Sequence, residues 1–181
     1  MTGGRRARDH RLLDALGALE PEPFEGVVWR VVRDGRPPLE ASNARGRWSP
    51  GHFDVLYTSL EPDGARAEVY FHLARQPVFP SQLRYWLYEL NVKTKETLRL
   101  ANTEALLGLE VEEARYPEIL YDRTQAISDA AQFMGFDGLI VPNARWDGLN
   151  LVLFVDAVDL DEIEIEERSA IDWNVWRDKV R

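Results

Sequence analysis

The chain has 181 residues, 45% hydrophobic and 29% charged, which suits one soluble globular domain with a substantial core rather than two. Its 31 acidic residues against 22 basic ones give a net charge of −9, arguing against a general nucleic-acid binder, which needs a broad cationic face. With no cysteine, disulfides, thiol catalysis and thiolate metal sites are excluded. No apolar run is long enough to span a bilayer and no hydrophobic signal segment is found, so no membrane association and a cytoplasmic location are expected.

Residues 1–24 read as a basic tail and a short helix, ahead of a main domain over 25–181. Arg5, Arg6, Arg8, His10 and Arg11 make the tail cationic, either as a solvated end or as a patch for an acidic partner. Leu12, Leu13, Leu16 and Leu19 recur at helical spacing over 9–19, and Pro21 and Pro23 end that helix. Val27 to Val32 is a β-rich run that carries Arg30 in apolar company. Residues 33–50, rich in Gly, Pro, Ser and Asn, form a long loop. Five arginines (30, 33, 36, 45 and 47) face only Asp34 and Glu40 between positions 30 and 47. An anionic ligand such as pyrophosphate would account for Arg30 and Arg47, each beside a tryptophan.

Residues 54–58 read as a short strand. Pro62 fits the first turn of a helix, with Ser59 or Glu61 as cap and Asp63 at its positive end. Glu68 is the only carboxylate in the mostly apolar stretch 67–74, so it is either a solvent-edge residue or a placed functional group. His72, on the same helix face, reads as a packing or surface histidine. Residues 84–92 form an aromatic-rich strand, with 96–100 as a brief extension after a turn. A helix spans 124–134, its stripe formed by Ile127, Ala130, Ala131 and Met134, and Gly135 stops it. Buried strands follow over 138–141 and 149–158. The stretch 156–167, with seven acids and no base, reads as a charged edge strand, and 172–180 as a closing helix. The elements intermix without a regular βαβ repeat, which makes the fold α+β.

Several chemistries lack their residues. There is no Gly-x-Gly-x-x-Gly, no Walker-type Gly-Lys-Ser/Thr and no Gly-x-Ser-x-Gly, and three scattered histidines form no zinc pair, so no metal site is expected. What remains is a guanidinium, a phenol and a carboxylate (Arg47, Tyr57 and Glu68) at intervals of ten and eleven residues, with Trp48 beside them. A guanidinium can grip pyrophosphate, an aromatic ring can stack on a base, and a carboxylate can steady a ribosyl cation. The set describes a pocket for a dinucleotide cleaved at ribose.

The blocks Trp29-Arg30, Gly46-Arg47-Trp48, Val55 to Ser59, Ala67-Glu68 and Gly138 to Arg145 occur in the order seen in the RES-domain family, which the chain resembles over roughly residues 25–158. The resemblance implies a single mixed, mostly antiparallel sheet with flanking helices, similar to the ADP-ribosyltransferase fold. It also implies a bacterial toxin held by a helix-turn-helix-type antitoxin and consuming NAD+ as substrate, with phosphate or water as acceptor and no resident cofactor. Modification of a protein by ADP-ribosyl transfer is the alternative reaction. Carried over by position, Arg30 and Arg47 would hold the phosphates, Tyr57 would line the nicotinamide side and Glu68 would stabilise the ribosyl cation. Trp48 and Asn143 complete the expected substrate contacts. Asn143 stands where the family has its serine; an amide can donate and accept hydrogen bonds but cannot replace a hydroxyl in proton transfer. A weakened enzyme serving as a binding module therefore stays open beside the two reactions. The aromatic content also allows a homodimer.

Overall fold

The computed structural model describes residues 7–180. Seven strands form one sheet: β1 (Glu25–Arg33), β2 (Val55–Ser59), β3 (Tyr85–Lys93), β4 (Thr97–Arg99), β5 (Gly138–Pro142), β6 (Leu149–Phe154) and β7 (Glu164–Ala170). Their order is β4-β5-β6-β2-β1-β3-β7, antiparallel throughout except for the parallel pair β4–β5. Among the described residues five α-helices accompany it: α1 (His10–Gly17), α2 (Pro62–Ala74), α3 (Thr103–Gly108), α4 (Asp122–Phe133) and α5 (Trp173–Lys179). The α+β reading holds. No helix among the described residues is long and apolar enough to cross a membrane.

The pleat sorts side chains to two cores, because alternate residues of a strand face opposite ways. Val55 of β2, Leu139 and Val141 of β5, and Val152 and Phe154 of β6 pack with Leu12 and Leu16 of α1 and with Ile127, Ala130 and Ala131 of α4. The short N-terminal helix is thus built into the main core. Arg8 adds an ion pair with Asp129 of α4 at 2.8 Å, while Arg5 and Arg6 of the expected basic patch lie outside the described residues. Farther along the same side, Ala67 and Leu73 of α2 pack with Trp173 and Trp176 of α5. The opposite face, with Val28, Val32, Leu56, Leu90, Ile140, Leu151 and Leu153, is covered by loop residues such as Leu39, Val158 and Leu160.

Three strand boundaries differ from the sequence reading. In the acidic stretch 156–167, residues 160–162 form a 3-10 turn and the edge strand starts only at Glu164, continuing to Ala170. Residues 97–99 do not extend β3. They cross to the far edge of the sheet and pair with β5 through Leu98↔Leu139, a tertiary choice that three residues cannot announce. The strand from 149 stops at Phe154, four residues early, because its partner β2 begins at Val55 and the ladder ends with the Val55↔Phe154 pair.

The feature that creates a site is a split in the sheet. Strands β1 and β3 pair along nine residues, whereas β1 meets β2 only at Trp29↔Ser59. Beyond that point the two strands diverge, and on the helix-bearing face α2 borders the opening.

Candidate active site

A cavity of about 360 Å³ occupies the split, bordered by all four groups singled out in the sequence: Arg30, Arg47, Tyr57 and Glu68. Its volume falls in the range of small-molecule sites. The four groups play different parts.

Glu68 projects from the middle of α2. That helix begins at Pro62, whose missing N–H costs nothing in the first turn, and Asp63 lies at its positive end. Gly64 lets the helix approach the end of β2, since a Cβ there would stand 2.4 Å from Ser59 Oγ and 3.0 Å from Asn143 Nδ2. Glu68 Oε1 accepts hydrogen bonds from the Ala144 N–H (3.2 Å) and from Asn150 Nδ2 (3.3 Å). Among the described residues no donor meets Oε2, so one carboxylate oxygen is fixed and the other is available. Glu68 is half-buried on the cavity wall and is not a freely solvated edge residue.

Tyr57 rises from β2, and its hydroxyl accepts the Trp48 N–H at 3.0 Å. Burial, followed by the nearby Glu68 charge, pushes the phenol above its ordinary range, so it stays neutral. The approach of chain to ring is close: a Cβ at Gly46 would lie 3.1 Å from Tyr57 Oη.

Arg47 and Trp48 are the central residues of a tight turn closed by reciprocal Gly46–Ser49 backbone bonds of 3.0 and 3.3 Å. Helix α4 braces this turn: Gln125 Nε2 donates to Gly46 O at 2.8 Å and Ser128 Oγ to Trp48 O at 2.6 Å. The turn sends its two side chains opposite ways. The Arg47 guanidinium reaches the cavity and lies over the Tyr116 and Tyr121 rings at 4.7 and 4.8 Å. The Trp48 indole goes into the core and is 2% exposed. That corrects the expectation of Trp48 as a substrate contact: it touches the cavity wall, yet its ring is packing and cannot stack on a base.

Arg30 and Asn143 need corrections as well. Arg30 alternates with Val28 and Val32, so the pleat aims it toward the loop-covered face. All three of its guanidinium nitrogens donate to backbone carbonyls: Nε to Pro38 (3.0 Å), Nη1 to Tyr57 (2.8 Å) and Nη2 to Glu40 (2.9 Å). The bond to Tyr57 O supplies the donor that β1 withholds where the strands part. Desolvation lowers its pKa to about 10, and Glu40 partly offsets this, which leaves it charged at neutral pH. Arg30 therefore closes the back of the split instead of gripping phosphate.

Asn143 is 7% exposed. Its Nδ2 donates to Gly64 O (3.1 Å) and Asn150 Oδ1 (2.9 Å), and its Oδ1 accepts the Arg145 N–H (2.8 Å). The amide ties α2 to the β5–β6 connection and orients Asn150, which in turn holds Glu68. It is a positioning residue and does not border the cavity.

The cavity also has walls that the sequence reading did not assign: Trp29, His72, Tyr116, Tyr121 and Arg145. Trp29 follows from alternation, since it must face opposite to Arg30. His72 stands one helical turn beyond Glu68; burial lowers its pKa, against the pull of Glu68 and with the push of Arg145, Arg75 and Arg47, so it is neutral at pH 7. Of its reading as a packing or surface histidine, the surface alternative holds: the residue is exposed, at the cavity rim. Tyr116 and Tyr121 come from a stretch without periodicity, and nothing in the sequence flagged them.

Residues 27–178 match the family model described as RES domain. The chain belongs to the RES-domain family. Among solved structures, a chain of the M. tuberculosis MbcT–MbcA toxin–antitoxin complex shares the fold with a TM-score of 0.83 at 18% identity, over 95% of this RES chain and 98% of that chain. No curated protein matches it by sequence.

Proposed function

We propose that this RES-domain protein is the toxin of a bacterial toxin–antitoxin pair and that it degrades NAD+ by cleaving the nicotinamide–ribose bond. The observation that carries the reading is Glu68: a carboxylate with one oxygen pinned and the other free, on the wall of a cavity that also holds guanidinium and aromatic groups. In this scheme the C1′–N bond breaks heterolytically and its electron pair stays with the departing, neutral nicotinamide. Positive charge develops on the ribose, and the fixed carboxylate stabilises it without reorganising. Phosphate or water then bonds to C1′ and gives up a proton to solvent, leaving ADP-ribose 1-phosphate or ADP-ribose. Tyr57, held neutral, contributes an uncharged wall beside the leaving group.

Family membership supports the toxin role, as does the fold shared with a chain from a toxin–antitoxin complex. The partner expected on that basis is a helix-turn-helix-type antitoxin. Asn143 bears on chemistry only through placement of Asn150 and Glu68, so a serine hydroxyl is not required at that position for the charge stabilisation described.

The test is to incubate the purified chain with NAD+, with and without phosphate, and to resolve products by mass spectrometry. Free nicotinamide with ADP-ribose or its 1-phosphate supports the proposal, and the phosphate dependence identifies the acceptor. Mass added to a protein in place of either product would indicate ADP-ribosyl transfer. NAD+ that binds but survives would indicate a binding module.

A further inference from the structure

Arg47 and Arg145 come from different parts of the chain, yet both guanidiniums dock on one strip of backbone. Arg47 Nη1 donates to the carbonyls of Tyr116 and Glu118, and Arg145 Nη2 donates to Pro117 O at 2.9 Å. Each is also stacked: Arg47 on Tyr116 and Tyr121, Arg145 on Phe71 at 3.4 Å. Arg75 adds a third guanidinium 5.1 Å from the Phe71 ring. Two like charges gathered this way repel one another, and the arrangement is stabilised when an anion comes between them.

The unpaired donors point to which anion. A guanidinium has five N–H groups, and here each is held through a single Nη. Among the described residues no acceptor meets Nε or Nη2 of Arg47, or Nε or Nη1 of Arg145. Both side chains border the cavity that holds Glu68. The number of charges fits a diphosphate diester, which carries one negative charge on each of two adjacent phosphates.

We infer that Arg47 and Arg145 form the diphosphate clamp of this site, with Phe71 and the carbonyls of 116–118 as its frame. The inference rests on reading the cavity as a dinucleotide site and assigns the phosphate grip to Arg145 in place of Arg30. The clamp puts the ribose next to the phosphates within reach of the Glu68 wall. Arg145 acts here as a binding residue and takes no part in bond breaking.

Isothermal titration of the full chain with ADP-ribose tests the clamp, with thermal melting as a check on the fold. Arg145→Lys keeps the charge and loses the planar fork. It should weaken ADP-ribose binding by about 10-fold or more while the melting temperature holds, as expected for charge-assisted hydrogen bonds. An unchanged affinity overturns the clamp, and so does a wild-type chain that binds no ADP-ribose. Should Arg145→Lys melt early, salt decides on the wild type. Affinity must fall by roughly 3-fold or more between low and high ionic strength, because partly exposed charges are screened, and a flat response overturns the clamp. NAD+ turnover in the same samples separates the two claims. Binding without nicotinamide release keeps the clamp and removes the reaction; release with undiminished Arg145→Lys binding does the reverse.

Discussion

The back and the rim of the cavity use the same residue types to opposite ends. At the back, Arg30 has every guanidinium nitrogen on a carbonyl and Trp48 is packed in the core; behind that wall, outside the lining, the Asn143 amide is bonded through both of its ends. At the rim, Glu68 keeps an unpartnered oxygen, and Arg47 and Arg145 keep unpartnered nitrogens. Residue identity says little about role until donors and acceptors are counted. A group whose valences are met by the backbone holds the fold, and one whose valences are left open can meet a ligand.

The contrast makes back-wall variants lose stability and rim variants lose rate. The largest stability effect should come from Trp48→Ala, which empties a large core site and should cost about 3–5 kcal/mol in denaturant unfolding. A loss under about 1 kcal/mol would mean that the indole is not packed as described. Glu68→Gln should slow nicotinamide release by ~100-fold or more, equivalent to about 3 kcal/mol of barrier, with little change in melting temperature. Arg30→Met leaves three carbonyls without their donor and should lower stability by about 2–3 kcal/mol, while KM for NAD+ in the folded fraction stays close to wild type. A selective rise in KM would move Arg30 from the back wall to the rim. Asn143→Ser removes the ties to Gly64 and Asn150 and should cost roughly 1–2 kcal/mol with no gain in rate. A faster enzyme would show that the hydroxyl matters chemically after all.

The smallest effect concerns pH. Burial raises the pKa values of Tyr57 and Tyr116 in the folded state above the ordinary phenol value. The stabilisation from their neutral forms is complete below about pH 10 and is lost as pH rises from there toward the folded values. Unfolding midpoints at about pH 9 and about pH 11 should therefore diverge. Phe at both positions should narrow that gap, and an equal gap would assign the alkaline loss to other groups.

Much of this architecture is legible in the sequence because its signals are local. The β-rich run of β1, the proline that opens α2 and the Ile127–Ala130–Ala131 stripe of α4 all follow from patterns a few residues long, whereas the acidic pattern marks only the first residues of β7. The pairing of strand β4 is not legible in the sequence, because its parallel partner lies some forty residues away and only tertiary packing selects it. At the site, Glu68, Tyr57 and Arg47 were visible as unusual residues in their settings. Trp48 was misplaced because nothing in Gly46-Arg47-Trp48-Ser49 says which central side chain turns inward; Gln125 and Ser128, nearly eighty residues on, decide that. Arg145 stood in a quoted motif without a role, since its value depends on the carbonyls of a segment with no readable periodicity.

The most direct test of the account is single-turnover nicotinamide release from NAD+ by the wild-type chain and by Glu68→Gln, both verified as folded. A measurable wild-type rate that drops by two orders of magnitude or so in the variant is the expected result. Equal rates in the two proteins, or intact NAD+ in both, would contradict the claim that this carboxylate is held in the split sheet to meet a developing positive charge.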